Sequence, residues 1–131
     1  YNPDHELTGQ IIHDIAVMIP IAKLETEYPP YDVIPSIWHY EPACGMRFIP
    51  TDYVDITDYF ETKMQMLACM ESQNAWMAHN YSSMDYKEDG LANSVRICAE
   101  FRGLQAQCKY AEGFRRALDG MRTRMTERVL P

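Results

Sequence analysis

Asn2-Pro3-Asp4-His5 sets an amide, a carboxylate and an imidazole side by side at the start of a stretch with helical periodicity. In the first turn of a helix the positive end of the macrodipole disfavours an imidazolium, which keeps His5 in the neutral form that ligates a metal. Asp4 does not share a helix face with His5, so it is placed to steady another group or to complement exposed amides. The remaining histidines do not complete a metal site by spacing. His13 lies two helical turns on, His39 sits in a β-prone run and His79 in a stretch without clear pattern. Zinc takes three or four protein ligands, with nitrogen at about 2.0–2.1 Å, and the local sequence does not supply them. No Gly-x-Ser-x-Gly elbow, phosphate-cradling glycine loop or His-Glu-x-x-His helix occurs. Cys44, Cys69, Cys98 and Cys108 form no Cys-x-x-Cys pair, and none has a basic partner arranged as in a thiol enzyme. All four read as reduced, structural cysteines of a cytoplasmic protein.

The elements that must position these groups follow from periodicity and punctuation. Leu7, Ile11, Ile15 and Met18, with Ile12 and Ile19, recur at helical spacing and predict a helix over Pro3 to Met18. Asn2 is its N-cap, Pro3 its first residue, and Pro20 ends it. Residues 21–35, with Pro29-Pro30 at the centre, read as loop. Residues 36–40 are β-prone and predict a strand, and Tyr53 to Ile56 a second one. Asp58 and Glu61 are spaced as a capping box for a helix running to about Gln73, with Phe60, Met64, Leu67 and Cys69 or Met70 as its buried stripe. A helical turn is expected around Trp76-Met77, then a polar loop to Asp89. A long helix is expected from Gly90 to Cys108, with Leu91, Val95, Cys98, Phe101, Gln105 and Cys108 on one side. Gly103 within that helix and Gln105 on its apolar side are both odd, and a small residue near an amide points to a close backbone approach or a polar contact. From Tyr110 there is one apolar-aromatic segment and then an arginine-rich end.

A chain of 131 residues fits one domain with a single core. The apolar fraction of 47% and charged fraction of 24% are those of an ordinary globular protein, without repeats or low-complexity tracts. A net charge of −7 argues against a nucleic-acid partner, which needs a basic surface. The charge is uneven: the first 95 residues carry four basic and fifteen acidic side chains, the remainder eight basic and four acidic. That asymmetry reads as a solvated helix face more than as an anion-binding patch. No apolar run reaches the roughly 18–20 residues of a membrane helix, and no basic-then-apolar leader opens the chain. Its first residue is Tyr1 rather than methionine, which points to a processed product or a piece of a longer polypeptide.

Several stretches, in order, resemble one enzyme family. Tyr1-Asn2-Pro3-Asp4-His5 followed by Thr8-Gly9 looks like the His-Pro-Asp-His segment of the zinc-dependent N-acetylglucosaminyl deacetylases, the LmbE-like or PIG-L superfamily. Val54-Asp55-Ile56-Thr57 then leads into a helix with Lys63, Leu67-Ala68-Cys69 and Ser72-Gln73. Phe101-Arg102-Gly103-Leu104-Gln105-Ala106 and Lys109-Tyr110-Ala111-Glu112-Gly113-Phe114-Arg115 complete the match, which spans nearly the whole chain.

The resemblance implies an α/β chain, the C-terminal half of a Rossmann-like deacetylase fold, here mostly helices with two or three short strands. It implies a homo-oligomer that hydrolyses the acetamide of an N-acetylated amino sugar or glycoconjugate with Zn2+ or another divalent metal. His5 takes the place of the family's last zinc ligand, and Asp4 that of the aspartate that orients a neighbouring histidine. The Ala-His-Pro-Asp-Asp motif that supplies the other ligands and the general base in that family is absent from these residues. A water activated by the metal then attacks the carbonyl, and the amine leaves after protonation. Tyr110 is implied as a donor to the oxyanion, with a packed aromatic as the competing reading. Asn2, Arg102 and Glu112 are implied as substrate contacts, although for Arg102 and Glu112 a structural role, pairing with each other to fix the C-terminal segment, is the favoured reading. Asn2 departs from the family, whose histidine there serves as proton donor or oxyanion partner; an amide can donate a hydrogen bond but cannot deliver a proton as imidazolium does. Met70, where many relatives carry histidine, reads as a packing change. Two rival readings follow: a non-catalytic sugar-binding or interaction module that keeps the fold, and an acidic all-helical scaffold without a strand at 36–40.

Overall fold

A computed structural model describes residues 2–80 and 90–117. In chain order the elements are α1 (Pro3–Met18), β1 (Trp38–Tyr40), β2 (Asp52–Asp55), α2 (Phe60–Ala68), α3 (Glu71–Asn80), α4 (Gly90–Ala106) and β3 (Ala111–Arg116), with 3-10 turns at Ala43–Gly45 and Thr57–Tyr59. The architecture is mixed α/β, which removes the all-helical reading. The sheet has the order β1-β3-β2, so its central strand is the last in sequence. β2 and β3 run antiparallel, with Asp52 opposite Phe114, Tyr53 opposite Gly113, Val54 opposite Glu112 and Asp55 opposite Ala111. No helix among the described residues is long and apolar enough to cross a membrane. The expected turn at Trp76-Met77 is part of a helix that continues to Asn80; the rest of the expected polar loop, 81–89, and the residues after 117 lie outside the described residues. The chain divides into two compact units, comprising among the described residues 2–39 with 116–117, and 40–80 with 90–115.

In the first unit α1 has the expected bounds, with Asn2 in an extended N-cap conformation and proline opening the helix. The Asn2 side chain makes no cap hydrogen bond; Asp4 and Glu6 complement the first turn instead. Only Ala16 of this helix is buried, and Leu7, Ile11, Ile12, Ile15, Val17 and Met18 are exposed. The Tyr31 amide donates to the Ile19 carbonyl at 3.2 Å, which folds the Pro29-Pro30 loop back on the helix end. β1 is shorter than the expected strand at 36–40. The Ser36 hydroxyl accepts from Arg116 Nη2 at 2.9 Å and the Ile37 carbonyl from the Ala117 amide at 3.0 Å.

The second unit is built on a small core of Ile56, Phe60, Ala99 and Tyr110, with Val54 and Met64 packed against it. Phe60 and Tyr110 stack at 3.7 Å with an interplanar angle of 9°. Expectations for both helical regions are corrected here. The single helix to Gln73 is two helices, because the Asn74 side-chain amide donates to the Leu67 carbonyl at 3.1 Å and satisfies the end of α2 while Glu71 starts α3. Asp58 does not cap; the Thr57 amide donates instead to Asp55 Oδ1 at 2.9 Å, and Cys69 and Met70 are exposed rather than buried. In α4 the buried face is Ala99, Arg102 and Gly103, while Phe101 and Gln105 of the expected stripe are exposed. The helix ends at Ala106 because Gln107 takes a left-handed backbone (φ 61) and the Cys108 amide returns to the Gly103 carbonyl at 2.9 Å. The chain then runs back across the helix so closely that a Cβ on Gly103 would stand 2.5 Å from the Lys109 carbonyl oxygen.

Candidate functional site

The polar centre of the second unit grows from that reversal. The return of the chain over Gly103 delivers residues 110–115 to the edge of β2. The Ile56 amide donates to the Tyr110 carbonyl at 2.9 Å and the Tyr110 amide to Thr57 Oγ1 at 3.3 Å. With the register so fixed, Glu112 faces α2, and Lys63 Nζ donates to its Oε1 at 2.6 Å. Burial works against the Lys63 ammonium, but the hydrogen bond and charge of Glu112, with Tyr40 beside them, outweigh it and raise the lysine above its ordinary value. Burial likewise pushes the Tyr40 phenol up, against the opposing pull of Lys63.

Arg102 forms the second ion pair. Its Nε and Nη2 donate to Glu41 Oε2 at 2.8 and 2.7 Å, Nη1 donates to Gln105 Oε1 at 2.8 Å, and Nη2 reaches the Phe48 carbonyl at 3.4 Å. The Tyr53 hydroxyl donates to the same Gln105 oxygen at 3.2 Å, so Gln105, odd in an apolar stripe, serves as a polar link. Tyr40, Glu41, Cys44, Lys63, Cys98 and Glu112 line a cleft of about 90 Å³. At the neighbouring strand end, Thr57 holds the Asp55 carboxyl below the usual carboxylate range through hydrogen bonds from its side chain and amide.

The residues singled out from sequence fall into two groups. Asn2, Asp4 and His5 stand exposed on the first turn of α1. The Asp4 carboxylate accepts from the His5 backbone amide at 3.0 Å, and the Asp4 carbonyl accepts from Thr8 Oγ1 at 2.7 Å. Arg102, Tyr110 and Glu112 belong to the second unit. Arg102 and Glu112 do not pair with each other; each has its own partner, Glu41 and Lys63. Tyr110 is a core residue, its ring between Phe60 and, at 5.1 Å, the Lys109 ammonium. Glu41 and Tyr40 went unmarked in the sequence, since the Glu41–Arg102 contact spans 61 positions and no local spacing announces it.

No family model, no curated protein and no solved structure matches the chain.

Proposed function

We propose that the chain is the C-terminal part of a metal-dependent N-deacetylase acting on an N-acetylglucosamine-type sugar or conjugate. The observation that supports this reading is the meeting of the later stretches of the resemblance, those from Val54 onward; the first, Asn2 to His5, belongs to the other unit. Val54 to Thr57 and Lys63 are the direct partners of Tyr110 to Glu112, and Gln105 links Arg102 to the strand before them. A set of residues distant in sequence and joined in space is what a shared scaffold requires. In this reading Lys63, Arg102, Tyr110 and Glu112 hold the C-terminal segment in place.

The donor chemistry at α1 fits one ligand of a zinc site. His5 is an exposed imidazole on the first turn of α1, a side chain of the type that ligates zinc. Among the described residues no three His, Cys, Asp or Glu side chains converge, so the proposal takes the remaining ligands and the general base from other sequence of the complete polypeptide. A divalent metal bound there supplies Lewis acidity for activating water and polarising the acetamide carbonyl. Asp4, through its bond to the His5 amide, fixes the turn that carries the imidazole. Asn2 offers an amide N–H to the substrate or its developing oxyanion.

A second reading rests on Asn2 itself. An amide in place of the family's histidine fits a module that binds the sugar without hydrolysing it. The full-length polypeptide, incubated with N-acetylglucosamine and its conjugates, separates the two when free amine is measured by a fluorogenic reagent. Release that a chelator stops and His5→Ala abolishes supports the deacetylase. Saturable sugar binding with no amine released supports the binding module and overturns the enzyme.

A further inference from the structure

We infer that Cys44 and Cys98 form a thiol pair that a hydroperoxide converts into an intramolecular disulfide. This inference stands apart from the deacetylase reading. The two residues are distant in sequence but line the same cleft, with Glu41, Lys63 and Glu112 around them. Cys98 projects from α4, and the 3-10 turn that carries Cys44 packs against that helix. Cys44 is exposed and Cys98 half-buried, so one thiol meets the oxidant and the other waits behind it. The remaining two cysteines lie elsewhere, Cys69 Sγ on the Gln65 carbonyl at 3.4 Å and Cys108 Sγ on the Tyr110 carbonyl at 3.3 Å.

The environment of the pair agrees with that division. Burial first, then the neighbouring Cys44 sulfur and the Glu41 carboxylate, push the Cys98 thiol up, while Arg102 and Lys63 pull the other way. The turn is also under backbone strain, with Cys44 at φ 63 and Arg47 at φ 58, both left-handed positions that disfavour residues bearing a Cβ. It is held down where Gly45 passes over the ion pair, since a Cβ there would meet Arg102 Nη2 and Glu41 Oε2 at 2.9 Å. A cross-link from Cys44 to α4 would therefore staple the turn over the Glu41–Arg102 pair.

The chemistry balances with a hydroperoxide as the named oxidant. The Cys44 thiolate attacks the peroxide; an S–O bond forms, the O–O bond breaks, and the departing alkoxide or hydroxide takes a proton. The Cys98 thiolate then attacks the Cys44 sulfenic sulfur; the S–S bond forms, the S–O bond breaks, and hydroxide leaves and is protonated to water. Two thiols are oxidised and one peroxide bond is reduced.

Trypsin places the four cysteines on separate peptides, so the linkage can be read directly. The full-length protein is treated with hydrogen peroxide, alkylated, digested without reductant and examined by mass spectrometry. The expected result is peptide 24–47 joined to peptide 97–102, lost on reduction, absent in Cys44→Ser and in Cys98→Ser, and retained in Cys69→Ser and Cys108→Ser. The same treatment in concentrated urea should lose its selectivity for that pair. Recovery of Cys44 and Cys98 as separately alkylated or over-oxidised peptides from the folded wild-type protein overturns the inference, as does linkage of either to Cys69 or Cys108.

Discussion

Replacing Arg102 by alanine removes the counter-charge of a carboxylate that is nearly out of solvent. The side chains of Arg102 and Glu41 are 6% and 9% exposed, and the guanidinium delivers two hydrogen bonds to one Glu41 oxygen at 2.8 and 2.7 Å. Breaking a buried pair by deleting one partner costs about 3–5 kcal/mol, because the remaining charge keeps its desolvation penalty without the attraction that offset it. That is a large part of the roughly 5–15 kcal/mol that holds a typical domain together. Glu41→Gln keeps the shape and some of the hydrogen bonding, and is expected to cost about 1.5–3 kcal/mol, the worth of a bond to a charged group. The double variant Arg102→Met, Glu41→Met removes both charges and their desolvation together, so it should fall near wild type or above it, as such replacements often do. Urea unfolding of the full-length protein, followed by circular dichroism with the slope compared across variants, measures all three. A loss below about 1 kcal/mol for Arg102→Ala, or a double variant as unstable as the two single variants summed, would refute the assignment of this pair as the buried electrostatic centre of the second unit.

The half-buried Lys63–Glu112 pair should matter less: Lys63→Met is expected to cost about 1 kcal/mol in the same unfolding experiment. Because the folded state raises the Lys63 pKa, its contribution is fully present below the ordinary lysine value near 10.5 and disappears as pH rises through the higher folded value. Unfolding midpoints from pH 9 to 12 should therefore fall more steeply for wild type than for Lys63→Met. Gly103→Ala should destabilise by about 1–3 kcal/mol despite the better helix propensity of alanine, since its Cβ meets the Lys109 backbone. A neutral or stabilised Gly103→Ala protein would show that the return of the chain over α4 is looser than described.

How much of this was legible in the sequence depended on whether the deciding contact was local. α1 could be bounded from Asn2-Pro3 at one end and Pro20 at the other, because caps and prolines act within a turn of where they stand. The division between α2 and α3 has no glycine or proline to mark it; an asparagine seven residues beyond its acceptor carbonyl makes it. β3 was the least readable element. Ala111-Glu112-Gly113-Phe114-Arg115-Arg116 contains one strongly β-prone residue, and it becomes the central strand because the Gln107 turn lays it against β2, with the small Ala111 and Gly113 facing inward. The buried face of α4 was misread for a related reason. Periodicity counts apolar residues, whereas this face is made of alanine, glycine and an arginine whose partner is 61 positions away. The helix start that carries His5 is legible because caps are local, whereas the partners of Arg102 and Glu112 are not, since both contacts are long-range.

The central proposal, that His5 is a metal ligand of a deacetylase, is tested most directly by metal content. The full-length protein, purified without chelator or affinity metal, is analysed by plasma mass spectrometry alongside His5→Ala, with unfolding measured on both to verify that the fold is kept. The account predicts about one divalent metal per chain in the wild type, as in a mononuclear catalytic zinc site. It predicts a loss of most of that metal in His5→Ala, with the unfolding midpoint measured in the presence of chelator unchanged between the two. Wild-type protein without stoichiometric metal, or His5→Ala holding metal as well as wild type does, would contradict it.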